Sequence, residues 1–511
     1  MKAYFRRACA IALATCVWNS FAGPDQPAEA PLLRTSIGSH SAPIRAIDVD
    51  SKGRYAVTAA EDKTAGIWDL ESGKLLQVLR PPVGPGNDGK LFAAAMTPDG
   101  AMVAVGGWSA DNDVYLFDRS SGVLRHRITG LPDVVTQLTF SPDGRTLAVG
   151  LWGVNGVRLF SSDSGWHSSR ETGSDNRYEG AVSGAKFSWD GARLAVASTD
   201  GLIRSYAATQ RSLSLVGSTR PAQGRQPFGV AWSPDNRLLA VGFSDSASVA
   251  VLNADSLQLA YAPSTTGISG GSLNAVSWTR DGEDLLAAGT LRGADRLNVL
   301  RRWRQGGKGA ASDESVASNT VVGVHALADG RVVYASAEPS WGWLKETSNG
   351  YTNQSFGSAL ADFRNARNTF RLSRDGATVA FPLNSTRGAG EVTAFDVVQL
   401  QWTAPQPQWK PPSAGKPPVG ISDWFENTTP TLNQRRISLH ESEISMTAAV
   451  ASNNSGFAIG TSQHVRYYNT SGTEIWRVAA PGTTWQVNIS ESGRWVVAAF
   501  SDGTIHWYTA K

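Results

Sequence analysis

From Val135 to Phe140 apolar and polar residues alternate, which marks a strand with one face buried. Thr146 to Leu151 is almost wholly apolar, as a strand covered on both faces must be, and Gly156 to Phe160 forms a third strand ending on an aromatic ring. Between the first two stands Ser-Pro-Asp-Gly, ending at Gly144. Proline fixes φ, aspartate caps the turn backbone, and glycine takes the left-handed conformation that closes a bulged hairpin.

The phrase recurs. It ends at Gly53, Gly100, Gly144, Gly191, Asn236, Gly282, Gly330 and Gly376, and in weaker form at Gly456 and Gly493. The steps are 47, 44, 47, 45, 46, 48, 46, 80 and 37 residues. A strand-built repeat of this length predicts a β-propeller blade, so the fold class is all-β with about ten four-stranded blades. The step of 80 has room for an eleventh unit or an insertion, and residues 402–419 are Pro-rich and read as an irregular loop.

The first unit carries the fullest signature. Ser39-His40 stands where WD-repeat proteins have Gly-His, and Thr58, Asp62 and Trp68-Asp69 fall at the spacings of that family's buried hydrogen-bonding tetrad. The segment resembles a WD repeat. The resemblance implies that His40, Thr58, Asp62 and Trp68 lock strands together and do no chemistry. Later units keep an aspartate at Asp200 and Asp502 but mostly lack the histidine, so their internal locks must differ.

Seven blades would leave three over, so one large ring is the expected arrangement. The last unit supplies strands at Trp485 to Ser490, Arg494 to Phe500 and Thr504 to Tyr508, then stops one strand short. Leu32 to Ile37 is the donor for the missing outer strand, which closes the ring and removes both sheet edges.

The start of the chain is a different text. Lys2, Arg6 and Arg7 precede a short apolar run from Ala8 to Val17, and Ser20-Phe21-Ala22 offers small residues where a signal peptidase reads. Residues 1–22 are thus expected to be a secretory signal cleaved after Ala22, with 23–30 a short linker and 31–511 the propeller, in a periplasmic or secreted protein. Cys16 after Leu13-Ala14-Thr15 is a poor fit to a lipid-anchor signal. No apolar run reaches the roughly 20 residues of a transmembrane helix.

Removing the signal takes away three of the 47 basic residues and none of the 44 acidic ones. The balanced charge that remains, without any Lys/Arg run, argues against a nucleic-acid partner. Both cysteines, Cys9 and Cys16, leave with the signal, so stability rests on core burial and no thiol remains.

Longer strings, PLLRTSIGSHSAPIRAI, EDKTAGIWDLESGKLLQVLRPPVGPGNDGKLF, TGLPDVVTQLTFSPDGRTLAV and ISDWFENTTPTLNQ, resemble the propeller region of bacterial proteins that join WD repeats to a caspase-like peptidase. The resemblance runs from about Pro31 to Tyr508. It does not carry the peptidase activity, which needs a cysteine nucleophile.

Enzyme readings are weak. The seven histidines are scattered singly, which offers neither a metal site nor the convergent groups of a lactonase. Gly472 to Trp476 resembles the docking phrase of quinone-dependent dehydrogenase propellers in one copy only, the vicinal cysteine pair of that family is absent, and a tryptophan packed between blades explains the phrase better. The expectation is a non-catalytic protein-binding scaffold without cofactor or metal. Its partner is a protein, such as an envelope complex or a separately encoded peptidase. Trp152, in a Gly-rich turn, and Trp341 and Trp343, in a Ser/Gly/Pro-containing stretch, are the candidate contact residues, because a rigid ring buries much area at low entropy cost.

Overall fold

The computed structural model describes residues 29–34 and 40–510, apart from 85–86, 163–164, 269, 349, 358–362, 364–365, 384–390, 410, 412–418 and 441–442. The secretory signal with Cys16, most of the linker, residues 35–37 of the expected closing strand and much of the Pro-rich stretch lie outside the described residues.

The repeated phrase makes the turn its chemistry demands. Gly53, Gly100, Gly144, Gly191, Gly282, Gly330, Gly376 and Gly493 all have positive φ, and Asn236 does the same work at 60°. In blade 3 the Ser141 hydroxyl donates to Asp143 at 2.5 Å, and the same carboxylate accepts the Arg145 amide at 3.0 Å. Each turn joins a first strand, nearest the ring axis, to a second strand buried on both faces, such as Thr146–Leu151.

The described residues form eleven antiparallel sheets, ten of four strands and one of three. The all-β propeller expectation holds, but the single large ring does not. Hydrophobic clusters join blade 1 (44–79) to blade 2 (90–128), and so on through blades 3 (135–175), 4 (182–219), 5 (227–261) and 6 (275–317) to blade 7 (321–357). A seventh cluster then packs Leu327, Val333, Ala335 and Trp341 of blade 7 against Ile44, Ile47 and Trp68 of blade 1. The His325 Nε2–H donates to the Ile47 carbonyl at 2.9 Å and Arg331 donates to the Gly53 carbonyl at 2.9 Å across the same seam. Seven blades close on themselves.

The remaining four sheets make a second circuit. Blade 8 (371–403) shares a core with blade 11 (484–509), blade 11 with blade 10 (445–479), and blade 10 with the small sheet 9 (421–436). Sheet 9 meets the lead-in of blade 8 where the Arg367 guanidinium lies 4.7 Å over the Trp424 ring. Sheet 9 is the eleventh unit hidden in the long step; its strands are two residues each.

The N-terminal strand does complete the last blade, as Glu29–Arg34, with Leu32 opposite His506, Leu33 opposite Ile505 and Arg34 opposite Thr504. It closes the smaller circuit, because the larger is already closed. In chain order the seven-blade ring is inserted between the N-terminal strand and the rest of the four-blade one, and Ser41 Oγ donates to the Asp502 carbonyl at 2.8 Å where the two meet.

Candidate functional site

His40, Thr58, Asp62 and Trp68 form one buried chain within blade 1. Trp68 Nε1 donates to Thr58 Oγ1 at 2.7 Å, His40 Nε2 lies 2.6 Å from the same hydroxyl, and His40 Nδ1 lies 3.0 Å from Asp62 Oδ2. Burial opposes ionisation of Asp62, but His40, the Thr64 hydroxyl and the Ser41 amide outweigh it and hold the carboxyl below its ordinary value. The chain ties the loop entering the blade to its second and third strands. Thr58→Val leaves Trp68 Nε1 and the His40 ring without their shared partner, and is expected to destabilise the seven-blade ring by about 2 kcal/mol in a denaturant titration.

Blade 4 rebuilds this lock from other residues. Tyr178 stands four residues before Val182 as His40 stands four before Ile44, and Tyr206 is the fourth residue of Ile203–Thr209 as Trp68 is of Ala65–Asp69. The two hydroxyls meet at 2.8 Å, Tyr206 donates to Asp175 at 3.1 Å, and Arg204 pairs with Asp200 at 2.7 Å while stacking on Tyr178. Burial pushes both phenols well above their ordinary value.

The candidate contact tryptophans separate. Trp341 and Trp343 lie in the strand Ser340–Thr347, the third of blade 7, and not in a loop. Trp341 is 1% exposed, its ring 5.5 Å from Trp68 and 4.7 Å from Phe356, and Trp343 packs partly buried on the same cluster. Both belong to the seam between blades 7 and 1, and the buried Trp341 offers no contact surface. Alternation around Gly342 was masked in the sequence by the Glu-Pro-Ser text before it, which reads as loop.

Trp152 is 59% exposed. It follows the second strand of blade 3, Thr146–Leu151, and its amide donates to the Val134 carbonyl at 2.9 Å. In the neighbouring blade Trp108 ends the second strand, Met102–Trp108, at 47% exposure, and its carbonyl accepts the Gly89 amide at 2.7 Å. Second strands of adjacent blades run the same way, so both rings stand on one face of the seven-blade ring. Gly106 packs on Val135, which brings the two strand ends to either side of one loop. Val83 and Val154 are exposed on the same face, in the loops beside them. Sequence reasoning missed Trp108 because an aromatic ending an apolar strand reads as core; the signal was one extra residue, since this second strand has seven where those of blades 1, 3, 4 and 5 have six.

A second convergence lies in the channel. Asp48, Lys186 and His325 are the fifth residues of the first strands of blades 1, 4 and 7. Lys186 Nζ comes within 4.0 Å and His325 Nδ1 within 3.8 Å of Asp48 Oδ1. Burial, reinforced by Lys186, lowers the imidazole's proton affinity despite Asp48. The three side chains form an electrostatic tie across the channel. Trp476, from the quinone-like phrase, is 1% exposed and stacked on Tyr467 between blades 10 and 11. Among the described residues no three His, Cys, Asp or Glu side chains are placed to hold a metal ion, and no helix is long and apolar enough to cross a membrane.

Residues 31–69 match the family model described as WD domain, G-beta repeat. Pre-mRNA-processing factor 19 of Oryza sativa subsp. japonica is 26% identical over 217 residues, covering 41% of this chain and 38% of that protein. Its homolog 2 in Arabidopsis thaliana is 26% identical over 214 residues, covering 41% and 38%. An uncharacterized WD repeat-containing protein of Synechocystis is 28% identical over 122 residues, 24% of this chain and 33% of that one. The matched region thus spans less than two-fifths of the length of each of these relatives. Among solved structures, the β-propeller domain of Cps50 (Swd1) from Myceliophteria thermophila matches with a TM-score of 0.47 at 15% identity, over 60% of this chain and 97% of that one. The chain carries a WD repeat at blade 1 of a propeller with eleven sheets.

Proposed function

We propose that this protein is an exported, non-catalytic scaffold that binds a partner protein on the face of the seven-blade ring carrying Trp108 and Trp152. The observation that carries the reading is the pair of exposed indoles on adjacent blades, held by backbone hydrogen bonds on rigid strand ends. Export rests on the basic, apolar and small-residue text of residues 1–22. Resemblance to bacterial propellers joined to caspase-like peptidases supports an envelope complex or a separately encoded peptidase as the partner.

Cross-linking and capture from an envelope extract, with wild-type protein and a Trp108→Ala/Trp152→Ala double variant, tests this. The double variant is expected to lose the partner that wild type retains, with capture reduced at least tenfold and the melting temperature within about a degree, since exposed side chains far from the core contribute little to stability. Equal capture by both proteins would overturn the assignment of this face.

A further inference from the structure

Each exposed tryptophan on this face has a carboxylate beside its backbone partner. Asp88 precedes Gly89, whose amide bonds to Trp108, and Asp133 precedes Val134, whose carbonyl bonds to Trp152. The same pair, an aspartate in the incoming loop and an indole at the end of the second strand, thus occurs twice in adjacent blades. Both carboxylates are held by neutral donors. Asp88 Oδ1 accepts the Ala110 amide at 2.9 Å, while Asp133 accepts the Val134 amide at 2.8 Å and Asn155 Nδ2 at 2.9 Å. A third, Asp111, is exposed and 3.6 Å from Arg127.

The cations nearby are committed elsewhere. Arg127 pairs with buried Asp113, Lys90 with Glu61, Arg177 with Asp175, and Lys63 Nζ donates to the Gly84 carbonyl. The face therefore presents two flat π surfaces beside Asp88 and Asp133, whose carboxylates take their hydrogen bonds from neutral donors. Indole faces attract cations, and fixed carboxylates add both steering and a charge-assisted hydrogen bond.

We infer that the surface around Trp108 and Trp152 reads basic side chains, taking a segment of the partner protein that carries two arginines or lysines, one for each Asp/Trp pair. This rests on the assignment of the binding face above. The paired geometry selects a segment with two cations over a single one, and it disfavours acidic or purely apolar segments, which would leave the carboxylates desolvated.

Fluorescence anisotropy with the full chain and short labelled peptides tests it, using a peptide with two arginines in a Gly/Ser background, its two-lysine and one-arginine counterparts, and a two-glutamate control. The two-arginine peptide is expected to bind saturably, at least tenfold more tightly than the one-arginine peptide, and progressively less as salt is raised. The glutamate peptide should not bind. Asp88→Asn and Asp133→Asn, which keep the amide-accepting oxygen, and Trp152→Ala should each weaken the two-arginine peptide about tenfold. Asp111→Lys, at an exposed side chain, should weaken it by a similar factor, and Asp329→Asn on the opposite face should leave it unchanged. Failure of the arginine peptide to bind, equal binding of the glutamate peptide, or indifference to the aspartate variants would overturn the inference. Partner capture that survives the aspartate variants but fails in the double tryptophan variant overturns the inference alone, whereas capture that survives the tryptophan variant overturns the binding face itself.

Discussion

Deleting residues 29–34 is expected to lower the unfolding temperature of the four-blade ring and leave that of the seven-blade ring where it was. The deleted strand supplies the fourth member of blade 11, paired from Glu29 opposite Tyr508 to Arg34 opposite Thr504. Without it the strand Thr504–Thr509 becomes an open edge. A ladder of this length holds several backbone hydrogen bonds at about 1 kcal/mol net each, so the four-blade ring should lose on the order of 4 kcal/mol. The seven-blade ring needs none of those contacts, since its seam is made by Ile44 and Ile47 against Val333, Ala335 and Trp341. Differential scanning calorimetry of the shortened chain should therefore resolve two transitions where wild type shows them closer together. A single transition displaced as a whole would mean that the two rings unfold as one unit, and an unmoved trace would mean that the strand contributes nothing.

Much of this fold is written in the sequence because a hairpin turn has strict local requirements. A positive φ at Gly144 and a serine hydroxyl on Asp143 need only four residues, so the period shows wherever those four survive. Ring closure has no such local mark. The residues that join blade 7 to blade 1 are Val, Ala, Ile, Leu and Trp, drawn from the same aliphatic and aromatic set that fills the other seams, so the alphabet at the closing seam resembles that of an ordinary one. Only packing distinguishes a ring of seven from one of ten or eleven. Sheet 9 was illegible for the opposite reason: Ile421–Ser422, Thr431–Leu432 and Arg435–Arg436 are too short to show any periodicity, and the turn phrase is gone.

The site was half legible. A Gly-rich turn around Trp152 marks a loop from sequence alone, and Trp152 stands exposed in it. Trp341 carries the same residue type in similar text, yet its ring is inserted between Trp68 and Phe356. The locks show the same limit. His40 and Trp68 are recognisable by their spacing, whereas Tyr178 and Tyr206 hold the same places by a different hydrogen-bond chain that no fixed spacing of His and Trp would reveal.

Blade 10 carries the costliest of these substitutes to break. Glu443, fully buried just before the strand Ser445–Val450, accepts Thr461 Oγ1 at 2.5 Å, Arg466 Nε at 3.0 Å and Nη2 at 2.5 Å, and the His440 amide at 3.1 Å, with His464 Nδ1 at 3.2 Å. Arg466, itself buried, also pairs with Glu474. Burial raises the Glu443 carboxyl, but His464, Arg466, Thr461 and the His440 amide together outweigh it and hold the group well below the usual carboxylate range. Glu443→Gln keeps the shape and removes the charge, which leaves the Arg466 guanidinium in a dry interior with only part of its compensation. The expected cost to the four-blade ring is about 4 kcal/mol, the size seen when one partner of a buried pair is lost. Glu443→Leu combined with Arg466→Met should recover part of that loss, because the desolvation of both ions goes with them. The pH dependence has a definite sign. A carboxyl whose folded value lies below its unfolded value of about 4.3 contributes its stability fully above that pH and loses it as pH falls towards the folded value. The wild-type four-blade ring should therefore weaken steeply from about pH 4.5 downwards, and the Glu443→Gln variant, already without that contribution, should show a flatter acid limb in the same calorimetric series. Parallel acid limbs for the two proteins would mean that another carboxylate governs acid unfolding.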